Sequence, residues 1–364
     1  MGEDRIELFR SGSELYPRML DDINRAEESI RWEMYIFAAD SVGELFRDAL
    51  AERTKAGVRV RLLVDALGSW STPSSFFDSV RLAGGIVRFF NPLSPWKRRS
   101  KRWRAVPLDS RNHRKLLVVD ERVAYVGGIN LGSEFLEWED LHLRIEGPTA
   151  RKLAESFMRV WRSDPRRLFR GLLKRPRKTD RKIHVLDGFP APDFSPIKKA
   201  YIVQIKRSRE RVWLSQSYFF PDRKLRRELA RAVSRGADVR LMLPAESDLY
   251  IVQMGSRRFY SWLLAHGIRI YLYKPTMIHA KWACGDGRWS IIGSANLDPI
   301  SLFHTLEVDV LINSGELVDA LRKIFLHNIS RCVELDAEQW DKRPLFDKLR
   351  EWLWYTLRRF FYFG

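Results

Sequence analysis

Cysteine is almost absent from this 364-residue chain: only Cys284 and Cys332 occur, and they lack the spacing of a metal-ligand pair. No disulfide framework can be drawn from them, so a reducing compartment is the default expectation. There is no run of roughly eighteen apolar residues, the minimum for a bilayer-spanning helix. The opening MGEDRIELFRSG meets charge almost at once and does not resemble a secretory leader. The expectation is a cytosolic protein or one held at a membrane face, with an ectodomain of a longer chain as the alternative. Acid is in deficit, since 46 Asp+Glu against 64 Lys+Arg leaves +18. That charge calls for a polyanionic partner, nucleic acid or an acidic membrane surface, and does not choose between them. A Cys/His zinc cluster and a phosphate-binding loop of the Gly-x4-Gly-Lys-Ser/Thr kind are also missing. What is present is core material: 45% of residues are hydrophobic, in a chain long enough for two domains or one large one.

That material is written twice. LYPRMLDDINRAEESIRWEMYIF (15–37) reads as an amphipathic helix followed by an apolar strand, and KKAYIVQIKRSRERVWLSQSYFF (198–220) follows the same plan. LFRDALAERTKAGVRVRLLVD (45–65) and KLRRELARAVSRGADVRLMLP (224–244) each give a helix and a strand. Gly57 and Gly236 stand where a left-handed C-cap would fall. LAGGIVRFF (82–90) and LAHGIRIYLY (264–273) add a turn and a third strand. The predicted order in each half is β-α-β-α-β and then a β-hairpin, an α/β arrangement with a largely parallel sheet covered by helices. Two such halves imply a pseudo-twofold, with a site between them drawing equivalent groups from each.

The hairpins carry the chemistry. NHRKLLVVDERVAYVGGIN (112–130) and IHAKWACGDGRWSIIGSAN (278–296) share one pattern: His, any, Lys, four residues, Asp, six residues, Gly, Gly or Ser, any, Asn. The first supplies His113, Lys115, Asp120, Gly127, Gly128 and Asn130; the second supplies His279, Lys281, Asp286, Gly293, Ser294 and Asn296. Period-two alternation places His and Lys on one strand face. A single His-x-Lys is ordinarily a solvated turn, and DERV or DGRW alone is ordinary hairpin chemistry. Repetition of a fold conserves apolar pattern and turns, with no reason to keep His, Lys and Asn as well. Two imidazoles, two ammoniums and two amides suit a phosphodiester. One neutral His attacks phosphorus, a protonated one gives a proton to the leaving alkoxide, and the lysines and asparagines hold the non-bridging oxygens. The scheme uses no metal and no cofactor.

The doubled string resembles the HKD signature of the phospholipase D superfamily, over nearly the whole chain. The resemblance implies two pseudo-symmetric phospholipase D-like halves, each a mixed, largely parallel sheet flanked by helices. It also implies a phosphohistidine on one His, with His113 favoured, while the other His acts as acid and then base. In the family an acidic residue beyond the Asn strand bonds each catalytic His. Asp140 in EWEDLHLRIEGP and Glu307 in FHTLEVDV stand at matching places, 27 and 28 residues after their histidines. By this reading Asp140 serves His113. The catalytic set is His113, Lys115, Asp120, His279, Lys281 and Asp286, with a role for the two aspartates in the hairpins and the interface of the halves as the alternative. Asn130, Asn296 and Ser294 are the phosphate-binding set. Gly128 departs from the pattern, since many members carry Ser there.

GINLGSEFLEWEDLHLRIEGP, GSANLDPISLFHTLEVDV, WEMYIF and QSYFFP look like bacterial cardiolipin synthases, of a shorter, peripherally bound type. This implies a phospholipid substrate, phosphatidylglycerol, and an anionic membrane surface at the cytoplasmic face as partners. A nuclease of the same superfamily and a non-catalytic binding relative are the alternatives. Which lipid alcohol accepts the group is not coded in the sequence. The expected domains are 1–164, a basic linker 165–182, a second half 183–335, and an amphipathic helix 336–364 for membrane association. In that helix Leu345, Leu349, Trp352, Leu353, Leu357 and Phe360 fall at helical spacing among Lys348, Arg350, Arg358 and Arg359. The basic loop SPWKRRSKRWR (94–104) is expected on anionic headgroups, or merely solvated.

Overall fold

The apolar run that closes each helix–strand pair becomes the middle of a sheet. A computed structural model describes residues 3–94, 96, 106–163, 182–191 and 194–362. The linker 165–181 and most of the 94–104 loop therefore lie outside the described residues, as do the side chains beyond Thr356. The first sheet contains β1 (Arg5–Phe9), β2 (Ser29–Met34), β3 (Arg59–Asp65), β4 (Ile86–Phe90), β5 (Leu116–Val119), β6 (Val123–Gly127) and β7 (His142–Glu146). Its order is β1-β7-β6-β5-β2-β3-β4. The second contains β8 (Ile183–Gly188), β9 (Arg211–Gln216), β10 (Asp238–Pro244), β11 (Arg269–Tyr273), β12 (Lys281–Gly285), β13 (Trp289–Gly293), β14 (Glu307–Ile312) and β15 (Cys332–Glu334). Its order is β15-β11-β10-β9-β12-β13-β14-β8.

Both sheets are mixed, as expected, yet the parallel part is smaller than the sequence pattern implied. Only β2, β3 and β4 run parallel in the first sheet; β5, β6, β7 and β1 add antiparallel pairings. β9, β10 and β11 are the parallel core of the second, with β12 antiparallel to β9. The hairpin explains this, because a tight turn can join only antiparallel neighbours.

The repeat extends to the caps. Asp40 accepts the Gly43 N–H (2.9 Å) and Asp222 accepts the Leu225 N–H (2.8 Å), starting helices Ser41–Lys55 and Arg223–Ser234 at matching places. Gly57 (φ 93°) and Gly236 (φ 92°) end them in the left-handed region. A Cβ would meet nothing at either site, so the constraint there is backbone conformation alone.

The chain divides into two compact units. One joins residues 1–196 to 292–295 and 303–310; the other holds 197–291, 296–302 and 311–364. The division falls after Pro196, and the first unit takes two stretches from the second repeat. In the first unit Ile30, Trp32 and Met34 of β2 pack with Leu15, Phe46 and Leu50 of the two helices on that face. Each such side chain contributes about 1.5–3 kcal/mol by leaving water. Arg31 and Glu33 point to the opposite face by strand alternation. There Arg114, the partner of Glu33, reaches Ser156 of the helix Pro148–Arg162.

Candidate active site

His113 stands three residues before β5, at the end of the sheet where β2, β3 and β4 finish. Its backbone N–H donates to the Leu306 carbonyl (3.0 Å), and the Leu306 N–H donates to the Arg111 carbonyl (2.8 Å). This short parallel bridge sets Glu307, the first residue of β14, beneath the imidazole. His113 Nδ1 lies 3.0 Å from Glu307 Oε1 and 3.2 Å from Oε2. A carboxylate accepts and does not donate, so Nδ1 carries the proton and Nε2 keeps the lone pair. Glu307 is fully buried, and the Thr305 hydroxyl (2.9 Å) and the Ser294 hydroxyl (2.5 Å) also donate to it. Tyr35 meets the imidazole edge-on, with ring centroids 4.7 Å apart. A fixed tautomer, a fixed ring plane and a carboxylate for the imidazolium follow.

This corrects the pairing read from spacing. His113 takes its acid from the second repeat, because the 111–113 backbone bridges to residue 306, and not from Asp140 in its own. Asp140 is buried at the corresponding place in the first repeat. Its amide donates to the Arg10 carbonyl (2.8 Å), and its Oδ1 accepts the Leu141 N–H (2.7 Å). Gly128 makes room for it: a Cβ there would come within 2.2 Å of Asp140 Oδ1.

Ser294 is the counterpart of Gly128. Its hydroxyl is buried, donates to Glu307 and accepts the Val308 N–H (3.0 Å). Its hydroxyl thus helps to hold the carboxylate that meets His113.

Asp120 and Asp286 hold the hairpin turns, the role weighed above as the alternative for them. Both take positive φ, 52° and 49°, in the hairpin turns. Asp120 accepts the N–H groups of Glu27, Glu28 and Ser29, each at 2.8 Å. Asp286 accepts those of Arg209 (2.8 Å), Glu210 (3.0 Å) and Arg211 (2.9 Å). Four strand residues separate Lys115 from Asp120, which puts them about 17 Å apart along an extended chain. The invariant spacing places the aspartate at the far end of the strand from the histidine, where it ties the turn to the start of β2 or β9.

The lysines repeat one geometry. Lys115 Nζ donates to the His113 carbonyl (2.8 Å), and Lys281 Nζ donates to the His279 carbonyl and to Ser217 Oγ (2.8 Å). Both are buried, and Lys115 lies 5.1 Å from the centroid of the Tyr35 ring. Asn296 Oδ1 accepts the Ser217 hydroxyl (2.7 Å), and Asn130 Oδ1 accepts the Ile36 N–H (3.4 Å). With the oxygen of each amide turned to the strand end, the NH2 is the end left to donate to an anion. His279 is buried, with Tyr218 edge-on at 6.4 Å.

Sequence reasoning missed the groups that fix the His113 strand. Asp65, closing β3, pairs with Arg111 (2.9 Å) and accepts the Asn112 N–H (2.8 Å). Glu33 pairs with Arg114 (3.1 Å) and accepts from Asn112 Nδ2 (3.0 Å). Burial raises the Glu33 carboxyl to about 7 against the pull of Arg114 and Asn112. His142, which opens β7, is pushed down to about 3 by burial, with the Lys115 charge adding to it against Asp140. The only signal was an acid ending an apolar strand, RLLVD; nothing in the sequence pattern singled out the arginines of RNHRK.

The chain matches the family model described as "Cardiolipin synthase, PLD-like domain" over residues 19–161 and 201–329, the two repeats. It is 31% identical to the cardiolipin synthase of Listeria welshimeri, covering 96% of this chain and 74% of that protein. It is 32% identical to cardiolipin synthase 1 of Staphylococcus aureus, covering 96% and 72%. Among solved structures, the phosphatidylserine synthase of Haemophilus influenzae aligns with a TM-score of 0.71 at 14% identity, covering 98% of this chain and 92% of that one. That likeness concerns the fold. Taken with the duplicated His-Lys-Asn strings and the carboxylate beneath His113, the match over both repeats places the chain in the cardiolipin synthase family of phospholipase D-like proteins.

Proposed function

We propose that the protein is a phospholipid phosphatidyltransferase of the cardiolipin synthase type. The observation that carries this is the Glu307-supported imidazole of His113, in a chain whose two repeats both match the cardiolipin synthase family. His113 Nε2 attacks the phosphorus of a phosphatidyl donor, phosphatidylglycerol. A P–N bond forms, and the P–O bond to the leaving glycerol breaks as the second histidine, His279, gives that oxygen a proton. In the return step the hydroxyl of an acceptor lipid loses its proton to His279 and attacks phosphorus, and the P–N bond breaks. Lys115, Lys281, Asn130 and Asn296 supply donors for the non-bridging oxygens. Asp140 is proposed as the second orienting carboxylate. The relatives favour lipid over nucleic acid as the polyanion that the +18 charge meets.

Among the described residues no helix is long and apolar enough to cross a membrane. Attachment is proposed to be peripheral, on an anionic membrane surface at the cytoplasmic face, through the helix Leu345–Tyr362. One face of this helix packs on the protein, with Tyr355 edge-on to Phe259 at 5.7 Å, and the other face is open. Leu345, Phe346, Leu349, Trp352 and Leu353 are exposed, while Glu351 is buried and paired with Arg343. An apolar face turned to solvent on a basic chain suits a lipid interface.

The test is product analysis with phosphatidylglycerol vesicles and, separately, single-stranded DNA. Transfer of the phosphatidyl group to lipid, with a phosphorylated His113 trapped and located by mass spectrometry, is expected. DNA cleavage without lipid turnover would refute the reading.

A further inference from the structure

The end of each sheet that carries its histidine also carries exposed apolar side chains, and the two repeats do this at matching places. In the first unit β2, β3 and β4 end where His113 begins the approach to β5, since Glu33 at the end of β2 pairs with Leu116. The segment after β3 exposes Leu67 and Trp70, the latter 77% exposed; Leu93 and Leu108, near the end of β4 and just before His113, are exposed too. These segments are tied to the histidine strand. Asp65 accepts the N–H groups of Leu67 (2.8 Å) and Gly68 (3.0 Å) with one oxygen and that of Asn112 (2.8 Å) with the other. Asn91 Nδ2 donates to the carbonyls of Pro107 and Ser110, both 2.8 Å.

In the second unit β12 runs antiparallel to β9, so His279 likewise lies at the end where β9, β10 and β11 finish. The segment after β10, the counterpart of β3, exposes Leu249, Tyr250 and Ile251. It is tied back as well: the Tyr218 hydroxyl donates to Asp248 (2.7 Å), and the Tyr218 ring meets His279 edge-on.

Scattered exposed apolar residues are ordinary on any surface. Recurring in the segments tied to the histidine of each repeat, they offer an apolar surface there to a partner. We propose that these segments are a second membrane contact, which seats the histidine-bearing end of each unit on an anionic phospholipid surface. A net charge of +18 complements that surface, and a loop tryptophan with an exposed leucine three residues before it fits the headgroup–acyl boundary. The inference rests on the phosphatidyltransferase reading and adds the direction from which lipid arrives: headgroup first, toward the imidazoles.

The experiment compares wild type with Trp70→Glu and with the pair Leu249→Glu and Ile251→Glu, one variant per unit. Each is measured for co-sedimentation with phosphatidylglycerol-containing vesicles, for turnover of vesicle lipid, and for turnover of short-chain phosphatidylglycerol held below its micelle concentration. Exposed positions leave thermal melting nearly unchanged. Vesicle binding and vesicle-lipid turnover are expected to fall about tenfold while short-chain turnover stays within twofold. Unchanged vesicle binding in both variants would overturn the proposal. So would an equal loss on both substrates, which would put these residues in the chemistry. Loss of self-association with vesicle binding intact would assign the face to a second copy, and loss of polynucleotide binding alone would assign it to nucleic acid. A wild type that turns over neither substrate refutes the transferase reading, and its co-sedimentation against the variants still decides the docking face.

Discussion

Removing the carboxylate of Asp120 separates a structural from a catalytic role for the aspartate of the signature. Its two oxygens accept three backbone N–H groups, from Glu27, Glu28 and Ser29, each at 2.8 Å. A net hydrogen bond to a charged acceptor contributes about 1.5–3 kcal/mol when buried, and these are partly exposed to water, which leaves about 1 kcal/mol each. Asp120→Ala also asks alanine to hold a φ of 52°, which adds about 1 kcal/mol. The expected loss is therefore about 3–4 kcal/mol. Asp120→Asn tolerates the left-handed conformation and keeps one acceptor oxygen, so it should lose about half of that. Urea unfolding of both variants measures the losses, and lipid turnover well below the melting temperature measures function. Turnover by folded protein is expected within about threefold of wild type, because the strand holds Asp120 about 17 Å from Lys115. A hundredfold loss of turnover in Asp120→Asn with stability intact would refute the reasoning and return the aspartate to the reaction.

The same geometry gives further expectations. Glu307→Gln removes the charge that supports the His113 imidazolium and should cut turnover about 10²–10³-fold with little change in KM, as steady-state kinetics will show. Ser294→Ala loses one donor to that carboxylate and should cost about three- to tenfold, with no further loss when built into Glu307→Gln. Asp65→Asn leaves the Arg111 guanidinium buried with a neutral partner and should cost about 3–5 kcal/mol in urea unfolding; adding Arg111→Met should restore part of it. For His142, burial holds the native pKa near 3 against 6.5 unfolded, so below pH 6.5 the unfolded chain binds a proton that the native chain does not. Its stabilisation is complete above pH 6.5 and is lost as pH falls toward 3, by about 2 kcal/mol between pH 6.5 and 5. His142→Gln should flatten that acid limb; parallel stability curves for variant and wild type would show that His142 does not cause it.

Why the fold was legible and the pairing of acid with histidine was not comes down to range. Caps, turns and strand alternation are local, so Asp40 and Asp222, or Gly57 and Gly236, announce themselves at matching places in a duplicated chain. The first-repeat strand and its hairpin follow from the same short-range rules. Glu307 reaches His113 through a backbone bridge between residues 112 and 306, and no periodicity encodes a contact across that distance. Because the repeats are equal on paper, an acid 27 residues after one histidine and 28 after the other fits a contact within a repeat or an exchange between repeats equally well. The network behind His113 was hidden for a different reason. Arg111 and Arg114 carry no local pattern that names their partners, and only the folded sheet brings Asp65 and Glu33 close enough to bury them as pairs. Recurrence marks residues under constraint without saying which constraint. In this signature, position along one short strand decides it: His and Lys lie before β5 or at the start of β12, at the end where the site is built. The aspartate lies past the other end of that strand, where two turns need a carboxylate to hold three amides.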